Sequence, residues 1–173
     1  CDPWGRFWAG SMAYDFAAGA GSLWRVNADF SCVRQRQGLT ISNGLAWSQD
    51  RGTLYLIDSP TRQVLAFPLT PSGDLSGEAT PCITIPEAWD ALPDGMCIDA
   101  EGKLWIALFG GGAVTRWDPV SGLLLERLEL PCRQITSCCF GGPNLDHLFV
   151  TTAMDAAAIE AEPLAGGLFQ ADV

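Results

Sequence analysis

Short apolar runs alternate with polar turns along the whole chain, and four of these runs resemble one another. They begin at Phe7, Leu54, Leu104 and Leu148, so the pattern repeats roughly every 45 to 50 residues. Each run follows a polar turn, and most of these turns combine Asp or Asn with Gly, which tolerate the positive φ angles of hairpin turns. Long apolar stripes with a period of 3.6 residues are absent from the sequence, so the pattern predicts strands rather than helices.

Each repeated unit contains up to four short strands. One strand precedes three of the runs, at residues 41–48, 92–98 and 135–140. A strand follows each run, at residues 21–26, 62–67, 112–117 and 167–171, and a further strand is predicted at residues 30–36, 81–85 and 123–130. About four strands in roughly 45 residues is the size of one β-propeller blade. A seven-stranded sandwich is the alternative all-β fold, but it does not account for the repeat.

The charge of the chain argues against two classes of partner. Ten basic and 20 acidic residues give a net charge of −10. So acidic a protein should repel the phosphates of nucleic acids and the surface of anionic membranes. The chain has one histidine, His147, which excludes zinc sites that need several imidazoles.

The cysteines and the beginning of the sequence bear on its compartment. There are seven cysteines, an odd number without a CxxC motif, and most lie in apolar strand-like runs. This arrangement favours buried free thiols in a reducing compartment over a disulfide framework. No run of 18 apolar residues and no basic-then-apolar leader pattern occurs, so we expect a cytoplasmic protein without a membrane span.

Two polar residues occupy equivalent places where successive inner strands begin. The first strand of each propeller blade lines the central channel, and Asn43 and Asp94 both lie near its start, each directly followed by Gly. Ser137 or Thr136 holds the third equivalent place. An amide and a carboxylate oxygen in one channel suit a divalent metal such as Ca²⁺, Mg²⁺ or Mn²⁺, and can also accept Zn²⁺. Two ligands are too few alone, and the alternative is that both Gly-containing pairs are only turns.

These residues lie within motifs that resemble a known family. The motifs are DPWGRFWAGSM at residues 2–12, ISNGLAWS at 41–48, YLIDS at 55–59, PDGMCIDAEGKLW at 93–105 and TSCCFGG at 136–142. Together they resemble the senescence marker protein/regucalcin/gluconolactonase family along nearly the whole chain. The resemblance implies a six-bladed propeller with a divalent metal in its channel that hydrolyses sugar lactones.

The resemblance also implies roles for three residues. Asn43 and Asp94 resemble two of the three protein ligands of the family's metal, and Asp94 resembles its proposed general acid/base. Asp15 sits where some relatives carry a substrate-side carboxylate, although it is equally consistent with a solvated loop residue. The family's third ligand, a Glu of the first blade, and its substrate-contacting Arg and Asn precede the segment that matches Asp2.

The length implies an incomplete ring. The chain has 173 residues, whereas six blades at the observed period need roughly 270. We therefore expect a fragment that lacks the N-terminal blades: one partial propeller domain over residues 1–173, with about three and a half blades. The expected blade remnants are residues 1–37, 41–85, 92–130 and 135–173, and the Ala-rich residues 154–161 are expected to be a loop insertion.

The functional expectation is metal-dependent hydrolysis of a small sugar lactone. The metal would polarise the lactone carbonyl and a water, and Asp94 would act as the acid/base. The alternative is a non-catalytic, calcium-binding propeller of the regucalcin kind, or a scaffold, with this fragment inactive on its own. A weaker alternative is a six-bladed enzyme of the strictosidine-synthase or arylesterase type, which shares the architecture but not the TSCCFGG and PDGMCIDAEGKLW motifs.

Overall fold

The computed structural model describes residues 1–155 and 160–173, and these residues form an all-β structure. The strands are β1 Phe7–Ser11, β2 Gly21–Val26, β3 Cys32–Leu39, β4 Ser42–Trp47, β5 Thr53–Asp58, β6 Gln63–Pro68, β7 Thr80–Thr84, β8 Leu92–Ile98, β9 Leu104–Phe109, β10 Ala113–Trp117, β11 Leu124–Glu129, β12 Ile135–Gly141, β13 His147–Thr152 and β14 Leu168–Asp172. Two short 3₁₀ turns, Ser59–Thr61 and Glu87–Trp89, also occur. Residues 156–159 of the expected insertion at 154–161 lie outside the described residues.

The strands pair into four separate antiparallel sheets. In order along the chain, these sheets are β1-β2-β3, β4-β5-β6-β7, β8-β9-β10-β11 and β12-β13-β14. The innermost strands of neighbouring sheets pack on one another, β4 on β8 and β8 on β12. Short meandering sheets that pack side by side through their inner strands form a partial propeller, which confirms the predicted fold class.

The core lies between the sheets. Strands β5 and β9 have nearly continuous apolar runs because each is a middle strand covered on both faces, and Leu56 and Ile106 are completely buried. By contrast, β11 is an outer strand and is mostly exposed. Each buried Leu or Ile contributes about 1.5 to 3 kcal/mol, so the packing between blades supplies most of the stabilisation of these short strands.

The same carboxylate motif holds the turns before β1 and β9. The Asp2 carboxylate accepts hydrogen bonds from the backbone N–H groups of Trp4 and Arg6 and from Trp8 Nε1, which is 2.8 Å away. Asp99 repeats the arrangement with Glu101, Lys103 and Trp105, and it also accepts a bond from Arg116. The apolar strand that follows each turn is thereby fixed to the turn by its own tryptophan.

One predicted strand is displaced in the structure. The third strand of the first unit was expected at residues 30–36, but β3 spans Cys32–Leu39. The chain first makes a turn in which Asn27 N donates to Ser31 O and Phe30 adopts a φ of 62°. A residue with positive φ does not continue a strand, so pairing with β2 begins only at Cys32.

The cysteines are all free, as expected, but their burial was only partly predicted. Cys132 and Cys138 are buried and Cys82 and Cys97 are half-buried, whereas Cys1, Cys32 and Cys139 are exposed. Cys139 follows Cys138 on a strand, and successive side chains of a strand point to opposite faces. Among the described residues, no helix is long and apolar enough to cross a membrane.

Candidate functional site

The starts of the inner strands are brought together by glycines. A Cβ atom on Gly44 of β4 would lie 2.7 Å from the backbone oxygen of Asp94 on β8. A Cβ atom on Gly95 would lie 2.4 Å from Ser137 Oγ on β12. Only glycine allows so close an approach. Asn43, Asp94 and Ser137 therefore follow one another across three adjacent blades.

Bulges at the same level turn these residues out of the regular ladder. The register shifts between Ser42 and Leu45 in β4 and between Pro93 and Met96 in β8. A bulge re-aims a side chain and interrupts strand pairing, and bulges are common beside functional sites. The Asn-Gly and Asp-Gly pairs thus lie inside inner strands rather than at hairpin tips. The alternative that these pairs are only turns is therefore wrong.

Asn43 and Asp94 lie close enough for the Asn43 side chain to affect the ionisation of the Asp94 carboxyl. Burial raises the pKa of Asp94 from 3.8 to about 6, and a hydrogen bond from the Asn43 side chain opposes this rise only in part. The ion pairs of residues 1–155 and 160–173 do not include Asp94. The carboxylate is therefore half-buried without a cationic side chain to offset its charge, and it can exchange a proton near neutral pH.

A corner at the end of β5 positions Asn43. Asn43 Nδ2 donates to Ser59 Oγ at 3.1 Å, and Ser59 is buried. The preceding Asp58 accepts hydrogen bonds from the backbone N–H groups of Thr40 and Ile41, the latter at 2.8 Å. The corner thus holds both the start of β4 and the Asn43 amide. Because Nδ2 is the donor there, the contact with Ser59 does not use the Asn43 carbonyl oxygen.

The sequence had not identified the contact between Ser59 and Asn43. In the sequence, Asp58 and Ser59 are typical of residues that cap a turn at a strand end. The Asp58 side chain makes no cap hydrogen bond to the turn that follows it and instead holds the backbone of Thr40 and Ile41. No local signal marks this contact, because β4 and β5 are antiparallel and the residues that follow Ser42 and Asp58 run in opposite directions. The contact forms where the ladder is irregular, between Ser42 and Leu45.

The donor chemistry of the pair fits a divalent cation. One carboxylate and one amide oxygen are hard donors of the kind that Ca²⁺, Mg²⁺ and Mn²⁺ prefer. A cation would also offset the uncompensated charge of Asp94. The part of the chain that the structure describes contains no group of three or more His, Cys, Asp or Glu side chains that could hold a metal. Asn43 and Asp94 thus offer two oxygen donors, which is fewer than a complete coordination sphere needs.

The structure places the third candidate residue, Asp15, in the long connection between β1 and β2. Its side chain is exposed and accepts a hydrogen bond from Ala17 N at 3.2 Å. No hydrogen bond within the described ranges joins Asp15 to Asn43 or Asp94. Among the described residues the structure thus shows an interaction between Asn43 and Asp94, and it shows none that joins Asp15 to them.

The structure defines the class of molecule: it is a partial β-propeller whose inner strands bring an amide and a carboxylate together. Comparisons with known proteins define the family. The model of the SMP-30/Gluconolactonase/LRE-like region matches residues 1–154. The chain belongs to this family, as the motifs predicted.

Three relatives illustrate the similarity. Regucalcin of Danio rerio is 43% identical over 175 residues, which is 98% of this chain and 59% of that protein. The Bacillus subtilis protein named "Putative sugar lactone lactonase YvrE" is 39% identical over 177 residues, 100% of this chain and 60% of its own length. The solved structure of a calcium-binding protein, regucalcin, from Agrobacterium tumefaciens is 34% identical with a TM-score of 0.89, covering 97% of this chain and 57% of that one. The chain spans about 60% of the length of the curated relatives it matches.

Proposed function

We propose that the protein carrying this chain hydrolyses sugar lactones at a divalent metal site to which Asn43 and Asp94 contribute. The observation that carries the proposal is the Asn43–Asp94 pair, in which the half-buried carboxyl has a pKa of about 6 and interacts with a neighbouring amide. Membership of the family, and its relative named as a sugar lactone lactonase, support lactones as the substrate class.

In this proposal Asp94 moves the protons. Its carboxylate takes a proton from the water that attacks the lactone carbonyl carbon. The ring C–O bond then breaks, and Asp94 returns the proton to the leaving alkoxide to give the open hydroxy acid. A group with a pKa of about 6 can do both near neutral pH. A divalent cation held by Asn43 and Asp94 would supply Lewis-acid polarisation of the carbonyl and of the water.

The other residues position and bind. Ser59 keeps the Asn43 amide turned so that its carbonyl oxygen remains free. Asp15, exposed in the β1–β2 connection, is proposed to accept hydrogen bonds from sugar hydroxyl groups. Mn²⁺, Ca²⁺, Mg²⁺ and Zn²⁺ are the metals that the donors suit.

A second candidate function is calcium binding without catalysis. It is favoured by the relatives named regucalcin, one of which is described as a calcium-binding protein. The same Asn43–Asp94 pair would serve it, because both side chains offer oxygen donors. The two functions differ in one outcome, which is whether a bound metal makes the protein open lactones.

The test is the rate of gluconolactone opening by the protein that carries this chain, with Ca²⁺, Zn²⁺ or Mn²⁺ and with each metal removed by a chelator. The Asp94→Asn variant keeps the shape of the side chain and should lose about 100-fold or more in turnover. Glu78→Gln, which changes an exposed carboxylate, is the matched control. Undiminished turnover by Asp94→Asn would remove Asp94 from the mechanism. Metal binding without lactone opening would favour the second function.

A further inference from the structure

Two thiols from different blades meet beside the candidate site. Cys97 of β8 and Cys138 of β12 lie 41 residues apart in sequence, and their Sγ atoms are 3.7 Å apart. Each cysteine shares its strand with a residue described above at the start of an inner strand. Asp94 precedes Cys97 on β8, and Ser137 precedes Cys138 on β12.

The backbones of the two strands are already in contact at this level. A Cβ atom on Gly95 would lie 2.7 Å from the Cα atom of Ser137. A disulfide needs Sγ atoms about 2.05 Å apart on Cα atoms about 5 to 6 Å apart. Since the strands touch one and two residues before the cysteines, the sulfurs can close the remaining distance by side-chain rotation and a small shift.

The two thiols differ in burial, and this difference predicts which of them reacts first with an oxidant. Cys138 is buried, and its thiol donates to the backbone oxygen of Trp105 at 3.4 Å. Cys97 is half-buried and borders an open cleft of about 490 Å³ that Leu45, Trp47 and Met96 also line. An oxidant can therefore reach Cys97 first, while Cys138 is held in place behind it.

The ionisation of the buried thiol agrees with this order. Its contact with Cys97 and its burial both raise the pKa of Cys138 well above the ordinary value of 9.0. The thiolate is the form that attacks an oxidant, so Cys138 is the poorer initial nucleophile. Cys139 is exposed and follows Cys138 on the strand, so its side chain points to the opposite face.

We propose that Cys97 and Cys138 are a modification site at which a peroxide forms a reversible disulfide between the third and fourth sheets. The Cys97 thiolate attacks hydrogen peroxide, the O–O bond breaks, and a sulfenic acid and one water form once a proton is taken up. Cys138 Sγ then attacks the sulfur of Cys97, the S–O bond breaks, and the second water leaves. Two thiols are oxidised to one disulfide while one peroxide is reduced to two waters, and a dithiol reductant reverses the change.

The bond would add a covalent link between two blades that already pack β12 on β8 and β9 and share hydrogen bonds, such as the one from Gly112 N to Arg133 O. It closes a loop of about 40 residues, which restricts the unfolded chain and stabilises the folded one. It also fixes β8 against β12 beside Asp94, so the candidate site would become more rigid in the oxidised form.

The experiment exposes the whole chain to hydrogen peroxide, blocks the remaining thiols and measures the intact mass and the linked peptides. We expect five blocked thiols instead of seven, a mass about 2 Da below that of the reduced chain once the blocking groups are subtracted, and a peptide pair that contains Cys97 and Cys138. The midpoint of thermal unfolding should rise by roughly 5 to 15 °C and return after reduction.

Three variants make the test specific. Cys97→Ser and Cys138→Ala should each abolish the linked peptides and the rise in the unfolding midpoint, whereas Cys139→Ser, which alters the neighbouring thiol, should retain both. Ala is used at position 138 because the site is buried and a hydroxyl there could unfold the chain. Cys97 that remains reduced or proceeds to sulfinic acid without a link to Cys138 would overturn the proposal, as would a link to another cysteine.

Discussion

Gly44 of β4 lies so close to Asp94 of β8 that a methyl group on Gly44 would come within 2.7 Å of the Asp94 backbone oxygen. Gly44 directly follows Asn43, so this contact between two blades sets the spacing of the Asn43–Asp94 pair. The contact of Gly95 with Ser137 repeats the arrangement one blade further. The glycines thus serve the site by letting two backbones approach, and the polar residues beside them supply the chemistry.

Replacing Gly44 by alanine should damage both stability and the site. The new methyl group would also lie 2.7 Å from Met96 Cβ and 2.9 Å from Ile57 Cδ1, so neighbouring backbone must move. Overpacking of this kind costs about 1 to 3 kcal/mol. Urea unfolding of Gly44→Ala should show that loss, whereas Gly52→Ala, which meets only the flexible Asp50 carboxylate at 3.3 Å, should lose less. Equal losses in the two variants would contradict the close approach.

Removing the hydroxyl of Ser59 should release Asn43. Without its partner, Asn43 Nδ2 loses a hydrogen bond of 3.1 Å and the amide can rotate. We expect Ser59→Ala to shift the side-chain amide resonances of Asn43 and to weaken Mn²⁺ binding roughly 10-fold. Thr61→Val is the control, because the Thr61 hydroxyl lies in the same turn but donates to the backbone oxygen of Asp58. This variant should change neither the Asn43 amide resonances nor the affinity for Mn²⁺. An effect of Ser59→Ala that persists in an Asn43→Ala background would show that Ser59 acts by another route.

The Asp2 carboxylate should stabilise the fold in a pH-dependent way. Burial raises its pKa, but hydrogen bonds from the Arg6 backbone, Trp8 and the Arg6 side chain outweigh burial and bring the pKa below 3.8. This stabilisation is therefore complete above about pH 4 and is lost as the pH falls through the lowered pKa.

Asp2→Asn tests that dependence. The Asn amide would turn a donor toward Arg6 or Trp8, so the free energy of unfolding at about pH 7 should fall by about 2 kcal/mol. Because the wild-type advantage disappears on protonation, the two unfolding curves should approach each other as the pH falls below 3.8 through the lowered pKa of Asp2. Glu78→Gln, at an exposed position, should match the wild type throughout. A gap that stays constant with pH would contradict the assigned role of the charge.

Much of the fold could be predicted because its signals are local and repeated. The apolar run at Leu54 and the one at Leu104 each become a central, buried strand after a polar turn. The equivalence of Asn43 and Asp94 was visible for the same reason, since both precede a glycine at the same place in the repeat.

What could not be predicted depends on contacts between elements. The hydrogen bond between Asn43 and Ser59 requires the register of a hairpin, and the approach of Cys97 to Cys138 requires the packing of one blade on another. The start of β3 depends on the positive φ of Phe30, and phenylalanine rarely adopts a positive φ. In each case the chain alone carried no local signal.

The most direct test of the Asn43–Asp94 site is to measure the affinity of this chain for Mn²⁺. Calorimetry or the electron paramagnetic resonance signal of the free ion gives this affinity. Asp94→Asn and Glu78→Gln each remove one carboxylate and leave the variants with equal net charge. We expect Asp94→Asn to weaken Mn²⁺ binding by about 10-fold or more, because the charged oxygen donor is removed, and Glu78→Gln to bind Mn²⁺ like the wild type. Equal Mn²⁺ affinity of Asp94→Asn and the wild type would contradict this expectation.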